Sequence, residues 1–150
     1  MSQFCEYDEC MSASIDNDDE FMRSISEHTI FKYESGIDSG ISYGGYIQVE
    51  DLPENNAIYA GKSFSLPREV IERIKTIIKR DNVIEINKLE FPPIIDGDVQ
   101  SMYFRHGDRI NAIRGYNQWF YYNKEGTNAY SVCKVVDEVI EIICHYYVIL

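Results

Sequence analysis

Residues 45–82 read 45-GYIQVEDLPENNAIYAGKSFSLPREVIERIKTIIKRDN-82, and the hydrophobic period changes partway along them. GYIQVE (45–50) alternates apolar and polar side chains and reads as a strand. NAIYAG (56–61) reads as its return partner, and DLPEN (51–55) between them has turn composition. From Pro67 the period becomes helical: Val70, Ile71, Ile74, Ile77 and Ile78 stand at i, i+1, i+4, i+7 and i+8, one apolar stripe. Pro67 suits the first helical position. Glu69 suits the positive end of the helix dipole, Lys79 and Arg80 the negative end. Asp81-Asn82 closes the helix.

The same logic extends outward. TIFKYE (29–34) alternates as a strand, and a short helical segment is expected within 20–28, with Phe21, Met22 and Ile25 on one side. Gly36, Gly40, Gly44 and Gly45 punctuate a turn-rich stretch. Residues 83–91 admit a short strand that Pro92-Pro93 stops. VQSMYFR (99–105) and RINAIRG (109–115) flank the turn His106-Gly107-Asp108, a second hairpin. A long loop over 116–128 precedes a helix at about 131–147, with Val132, Val135, Val136, Val139, Ile140, Ile143 and Tyr147 on its apolar face.

The order is strand, hairpin, helix, hairpin, loop, helix, two ββα-like units in tandem. NAIYAG at 56–61 and NAIRGY at 111–116 hold corresponding places before the two helices. The expected fold is α+β: an antiparallel sheet of two hairpins plus an N-terminal strand, with both amphipathic helices packed on one face. This order, with Tyr59-Ala60-Gly61 before the first helix and Asp98 ahead of the second hairpin, resembles a set of small bacterial domains. That resemblance carries no functional residues across.

Charge is distributed unevenly. The first 22 residues hold seven acids (Glu6, Asp8, Glu9, Asp16, Asp18, Asp19, Glu20) and no Lys or Arg, and so supply −7 of the formal −11. The expectation is an acidic arm over 1–22, solvated or offered to something basic, and a single domain over 23–150. One variant lays the arm on the chain's own basic helix, where Arg68, Lys75 and Lys79 share a flank. Deleting the arm should then leave the fold intact. An acidic surface repels membranes and phosphate backbones, so direct nucleic-acid and membrane binding are disfavoured. No basic-plus-apolar leader is visible, and the four cysteines read as reduced thiols, which suggests a cytoplasmic protein.

Catalytic motifs are not evident. His28, His106 and His145 have no neighbouring nucleophile motif; turn and helix-end roles suffice for the last two. Cys5, Cys10 and His28 are the best zinc candidates, but Cys-x4-Cys is wider than the usual pair and lacks a fourth ligand. Residues 16–27 echo a calcium loop, yet Phe21 stands where that loop needs glycine. No phosphate-cradling glycine pattern occurs. No cofactor is implied, and an enzyme built on an unrecognised carboxylate pair is the alternative of another class.

Binding is the stronger reading. YNQWFYY (116–122) concentrates the only Trp with four other aromatics. Tyr and Trp dominate interface hot spots because they bury large area at small entropic cost. A third strand with Trp119 and Tyr121 in the core competes with that reading, and Phe120 and Tyr122 would then face out. In size, acidity and α+β architecture the chain resembles bacterial toxin immunity proteins. The resemblance implies an intracellular inhibitor of a basic toxin or nuclease. Asp16, Asp18, Asp19 and Glu20 would steer association, and Tyr116, Trp119, Phe120, Tyr121 and Tyr122 would anchor it. A phage-encoded inhibitor of a defence nuclease, mimicking nucleic acid, is the alternative within this class. A structural module that self-associates as a homodimer is, like the enzyme, an alternative of another class.

Overall fold

The computed structural model describes residues 11–35, 46–92 and 99–148. Along the chain come β1 (Met11–Ser12), β2 (Thr29–Ser35), β3 (Ile47–Glu50), β4 (Ala57–Tyr59), β5 (Lys62–Phe64), helix α1 (Arg68–Arg80), β6 (Lys88–Leu89), β7 (Val99–His106), β8 (Arg109–Tyr116) and helix α2 (Asn128–Val148). Single 3-10 turns occupy Glu20–Met22, Val83–Glu85 and Gln118–Tyr121. Residues 1–10, the glycines at 36, 40, 44 and 45, and Asp98 lie outside the described residues, as do Cys5 and Cys10.

The fold is α+β. Six strands form an antiparallel sheet in the order β5-β4-β3-β2-β7-β8, and β1 and β6 form a small second sheet. The N-terminal strand of the sequence reading becomes the middle of the large sheet. β2 pairs with β3 on one side and with β7 on the other. One strand was not foreseen: Ala60-Gly61 turn the chain back after β4, and β5 pairs in register as Ala57↔Phe64 and Tyr59↔Lys62. Both turn residues have positive φ, 55° and 75°. That is the geometry of a type I′ turn, which is usually signalled by Asn-Gly. Alanine hides the signal. The short strand expected within 83–91 is confined to β6, since residues 83–85 form a 3-10 turn where Asn82 takes a left-handed φ of 57° and redirects the chain.

Register defines two faces. Phe31 stands opposite Val49 and Phe104, and Tyr33 opposite Ile47 and Met102. These residues join the buried stripes of both helices in one core. In α1 all five residues of the sequence stripe are buried. In α2, Ile140 is only partly buried and Ile142 is buried instead. That helix starts three residues early because the buried Glu90 carboxylate accepts from the Asn128 and Ala129 amides at 3.0 and 2.8 Å. A carboxylate on free N–H groups at the positive end of a helix is a strong cap.

The opposite face carries Lys32, flanked across strands by Gln48 and Tyr103. Alternation alone marks these positions as solvent-facing. They are buried, Lys32 to 4% exposure. Residues 13–28 cover them and differ from the expected solvated arm. Backbone bonds from Arg114 N to Ala13 O (2.7 Å) and from Ile15 N to Ala112 O (2.9 Å) zip the segment onto the free edge of β8. Met11–Ser12 continues onto β6. The chain then crosses the sheet: Asp19 meets Arg114 of β8, the Phe21 carbonyl meets Lys32 of β2, and Ser24 meets Gln48 of β3. We call residues 13–28 the strap. Its 3-10 turn Glu20–Met22 replaces the longer helix expected there, since Asp19 caps it through the Phe21 amide at 2.9 Å. The variant with the lead on the basic helix is also replaced. Arg68 and Lys75 pair with Asp51 at 2.7 Å each, and Arg80 pairs with Glu138.

Burial of Phe21 under this strap leads to a clear expectation. Phe21→Ala should destabilise the protein by about 3–5 kcal/mol, the usual cost of such a cavity. A urea midpoint equal to the parent's would show that the strap is not docked. Ala60→Asn should stabilise by about 0.5–1 kcal/mol by supplying the residue that tolerates φ > 0, seen as a higher Tm; a lower Tm would argue against the I′ turn.

Candidate protein-binding surface

The acids of the lead divide into two kinds. Asp19 is internal to the fold: both its oxygens accept from the Arg114 guanidinium, at 2.9 and 3.0 Å, while Arg114 Nε donates to Ser101 at 2.8 Å. The Arg114 contact, with the Phe21 amide behind it, lowers the Asp19 pKa to about 2. Asp16, Asp18 and Glu20 are exposed on the same turn, where Asp19 N donates to Asp16 O at 3.1 Å. The clamp therefore presents three carboxylates on a fixed loop.

The aromatic run is neither a loop nor a strand. Asn117 takes φ 53° and starts the 3-10 turn Gln118–Tyr121. Gln118 is buried and locks it. Its backbone N–H donates to Gln100 Oε1 at 3.1 Å, and its Nε2 donates to the carbonyls of Tyr116 and Glu90 at 3.0 and 3.2 Å. Gly115 makes room: a Cβ there would lie 2.5 Å from Gln118 Cγ. The turn distributes the aromatics by depth. Tyr121 is 1% exposed and belongs to the core, and Trp119 is partly buried against it. Tyr116 (39%), Phe120 (46%) and Tyr122 (39%) are exposed. Tyr121 is thus corrected from anchor to core residue, because a 3-10 turn at about three residues per turn points Phe120 and Tyr121 in different directions. The expected outward positions of Phe120 and Tyr122 agree with the structure, although the strand does not. Trp119 packs edge-on against Tyr122 at 5.5 Å. Tyr122 donates to Asp137 at 2.8 Å, and that bond, assisted by burial, pushes its phenol up to about 12.

Arg114 links the two groups. Tyr116 follows it by two residues on β8, so both side chains share a sheet face about 7 Å apart. Arg114 borders the cleft of the acidic turn and also a smaller hollow lined by Met11, Phe91 and Tyr116. Phe91 packs edge-on against Tyr116 at 5.4 Å, and Met11 is exposed beside them. Carboxylates on one side and a small apolar hollow on the other therefore form one surface. Met11, Phe91 and Arg114 were not singled out in the sequence. Only Arg114 left a signal there, as a cation alternating with Tyr116.

Other constellations are less organised. His28 and His106, distant in sequence, line one groove of about 830 Å³ with Lys75, Lys79 and Arg105. Among the described residues no three His, Cys, Asp or Glu side chains converge as metal ligands, and the carboxylates at 16–27 are no exception. Cys133 and Cys144 are free thiols, and burial pushes Cys133 up to about 12, which makes it a poor nucleophile. No helix among the described residues is long and apolar enough to cross a membrane. No protein-family model matches the chain, and no curated protein does either.

The Asp19 clamp has a definite pH signature. A carboxyl held at about 2 against an ordinary 3.8 contributes stability that is present above the ordinary value and disappears as pH falls through the lower one. Asp19→Asn should flatten the loss of Tm between about pH 5 and pH 1 relative to the parent. Equal slopes for the two proteins would show that Asp19 carries no such linkage.

Proposed function

We propose that this protein binds and neutralises a basic enzyme, in the manner of a cytoplasmic immunity protein facing a nuclease-type toxin. The observation that carries this reading is the placement of Asp16, Asp18 and Glu20 on a clamped turn beside the hollow of Met11, Phe91 and Tyr116. Enzymes that cleave nucleic acid present cationic clefts to phosphate, and carboxylates on a fixed loop are complementary to such a cleft. Long-range attraction steers encounter, with association up to ~10⁸–10⁹ M⁻¹s⁻¹ at low salt. The apolar hollow with Tyr116, and with Phe120 and Tyr122 further along, then sets the dissociation rate. A preorganised turn supports affinity, since little loop entropy remains to be lost on binding.

The test is capture from native-host lysate at low salt, followed by assay of the captured protein. A basic enzyme whose activity falls on adding this chain stoichiometrically is the expected result. Replacing Asp16, Asp18 and Glu20 by Lys should slow association about tenfold or more and remove its salt dependence, whereas Tyr116→Ala should mainly accelerate dissociation. Capture only of acidic or uninhibited proteins, or salt-independent association by the parent, would overturn the proposal.

A further inference from the structure

We propose that the cleft between the strap and the sheet binds small aldehydes or ketones bearing one anionic group, with Lys32 capturing the carbonyl as an iminium and Arg23 recognising the anion. This reading stands independently of protein inhibition. The cleft encloses about 710 Å³, and Lys32, Phe21, Tyr46, Arg23, Glu34 and Ser101 are among its lining residues. That volume lies within the range of small-molecule sites.

Lys32 is the unusual member. Its Nζ lies 4.4 Å from the centre of the Phe21 ring and 4.6 Å from that of Tyr46. It donates to the Phe21 carbonyl at 2.6 Å. Burial pulls its pKa below that of an ordinary lysine, with Glu34 opposing, while the Asp51 contact moves Lys75 the other way. Of the chain's seven lysines, Lys32 is thus favoured to supply the neutral amine that attacks a carbonyl.

The chemistry balances without a further reactant. The ammonium gives one proton to Glu34 or water, and the amine nitrogen bonds to the carbonyl carbon. The carbonyl oxygen takes one proton from that nitrogen and one back from Glu34 or water, and leaves as water while the nitrogen lone pair closes the C=N bond. The nitrogen keeps its last hydrogen, so ammonium plus carbonyl becomes iminium plus water. The positive charge remains between the two rings, so their cation–π attraction is retained in the product. Glu34 shares the sheet face two residues along β2, about 7 Å away, within reach through one water. Anion recognition falls to Arg23. Arg114 is committed to Asp19 and Ser101, whereas Arg23 is exposed at the rim with no side-chain partner among the described residues.

The experiment treats the full chain with glyoxylate and cyanoborohydride at neutral pH, then maps the reduced adducts on all seven lysines by mass spectrometry. Lys32 should be labelled severalfold faster than the mean of the others, because burial favours its neutral amine. Arg23→Gln should slow glyoxylate labelling of Lys32 about threefold or more and leave labelling by acetaldehyde unchanged. Lys32→Arg, which keeps the charge, should remove the fast adduct while the melting transition persists. Even labelling of all lysines, or an unlabelled Lys32, would overturn the site. Equal sensitivity of both aldehydes to Arg23→Gln would overturn the anion recognition.

Discussion

A lysine ammonium buried on the central strand constrains much of this molecule. Lys32 stands on β2 with strands on both sides, on the face away from the helices. Desolvating an unpaired charge there would cost several kcal/mol. The Phe21 carbonyl and the rings of Phe21 and Tyr46 offset that cost. Two of those three groups belong to the strap. The strap must therefore dock for the sheet to keep its lysine, and docking places Asp19 on Arg114. One buried charge thereby couples the chain's acidic lead to both halves of the sheet.

The electrostatics of the surface follow from this docking. Many bases of the body are spent on its own acids: Arg68 and Lys75 on Asp51 and Glu72, Arg80 on Asp81 and Glu138, Arg109 on Glu85. Each such exposed pair adds little to stability, because solvent screens it. Their larger effect is to cancel cationic patches. Among the described residues, the excess negative charge then rests on carboxylates outside these pairs, including Asp16, Asp18 and Glu20 on the clamped turn. Tight packing of Gln118 under Gly115 acts similarly on the aromatic run. It commits Tyr121 to the core and leaves Tyr116, Phe120 and Tyr122 outside.

Much of the helix-facing half was legible because hydrophobic period reports directly on burial. The stripe of Val70, Ile71, Ile74, Ile77 and Ile78 and the hairpin around His106-Gly107-Asp108 depend only on neighbours in sequence. Missed features came from contacts distant in the chain. Glu90 caps a helix 38 residues further on, and nothing local to Glu90 announces that role. The β4–β5 turn was missed for a different reason: Ala60 adopts a backbone conformation its side chain does not advertise. The candidate surface was half legible. The acids and aromatics were visible as clusters, but which of them are structural was not.

The sequence by itself determined the α+β class, the positions of both helices, the two hairpins and the excess of negative charge, because periodicity, turn chemistry and composition are local properties. Only the tertiary structure decided that β2 lies at the centre of the sheet, that residues 13–28 form a strap, and that Asp19 serves the fold while Asp16, Asp18 and Glu20 face outward. Those outcomes depend on which polar groups find partners once water is excluded, and Lys32, Arg114 and Gln48 find theirs on a segment whose composition alone resembles a solvated arm.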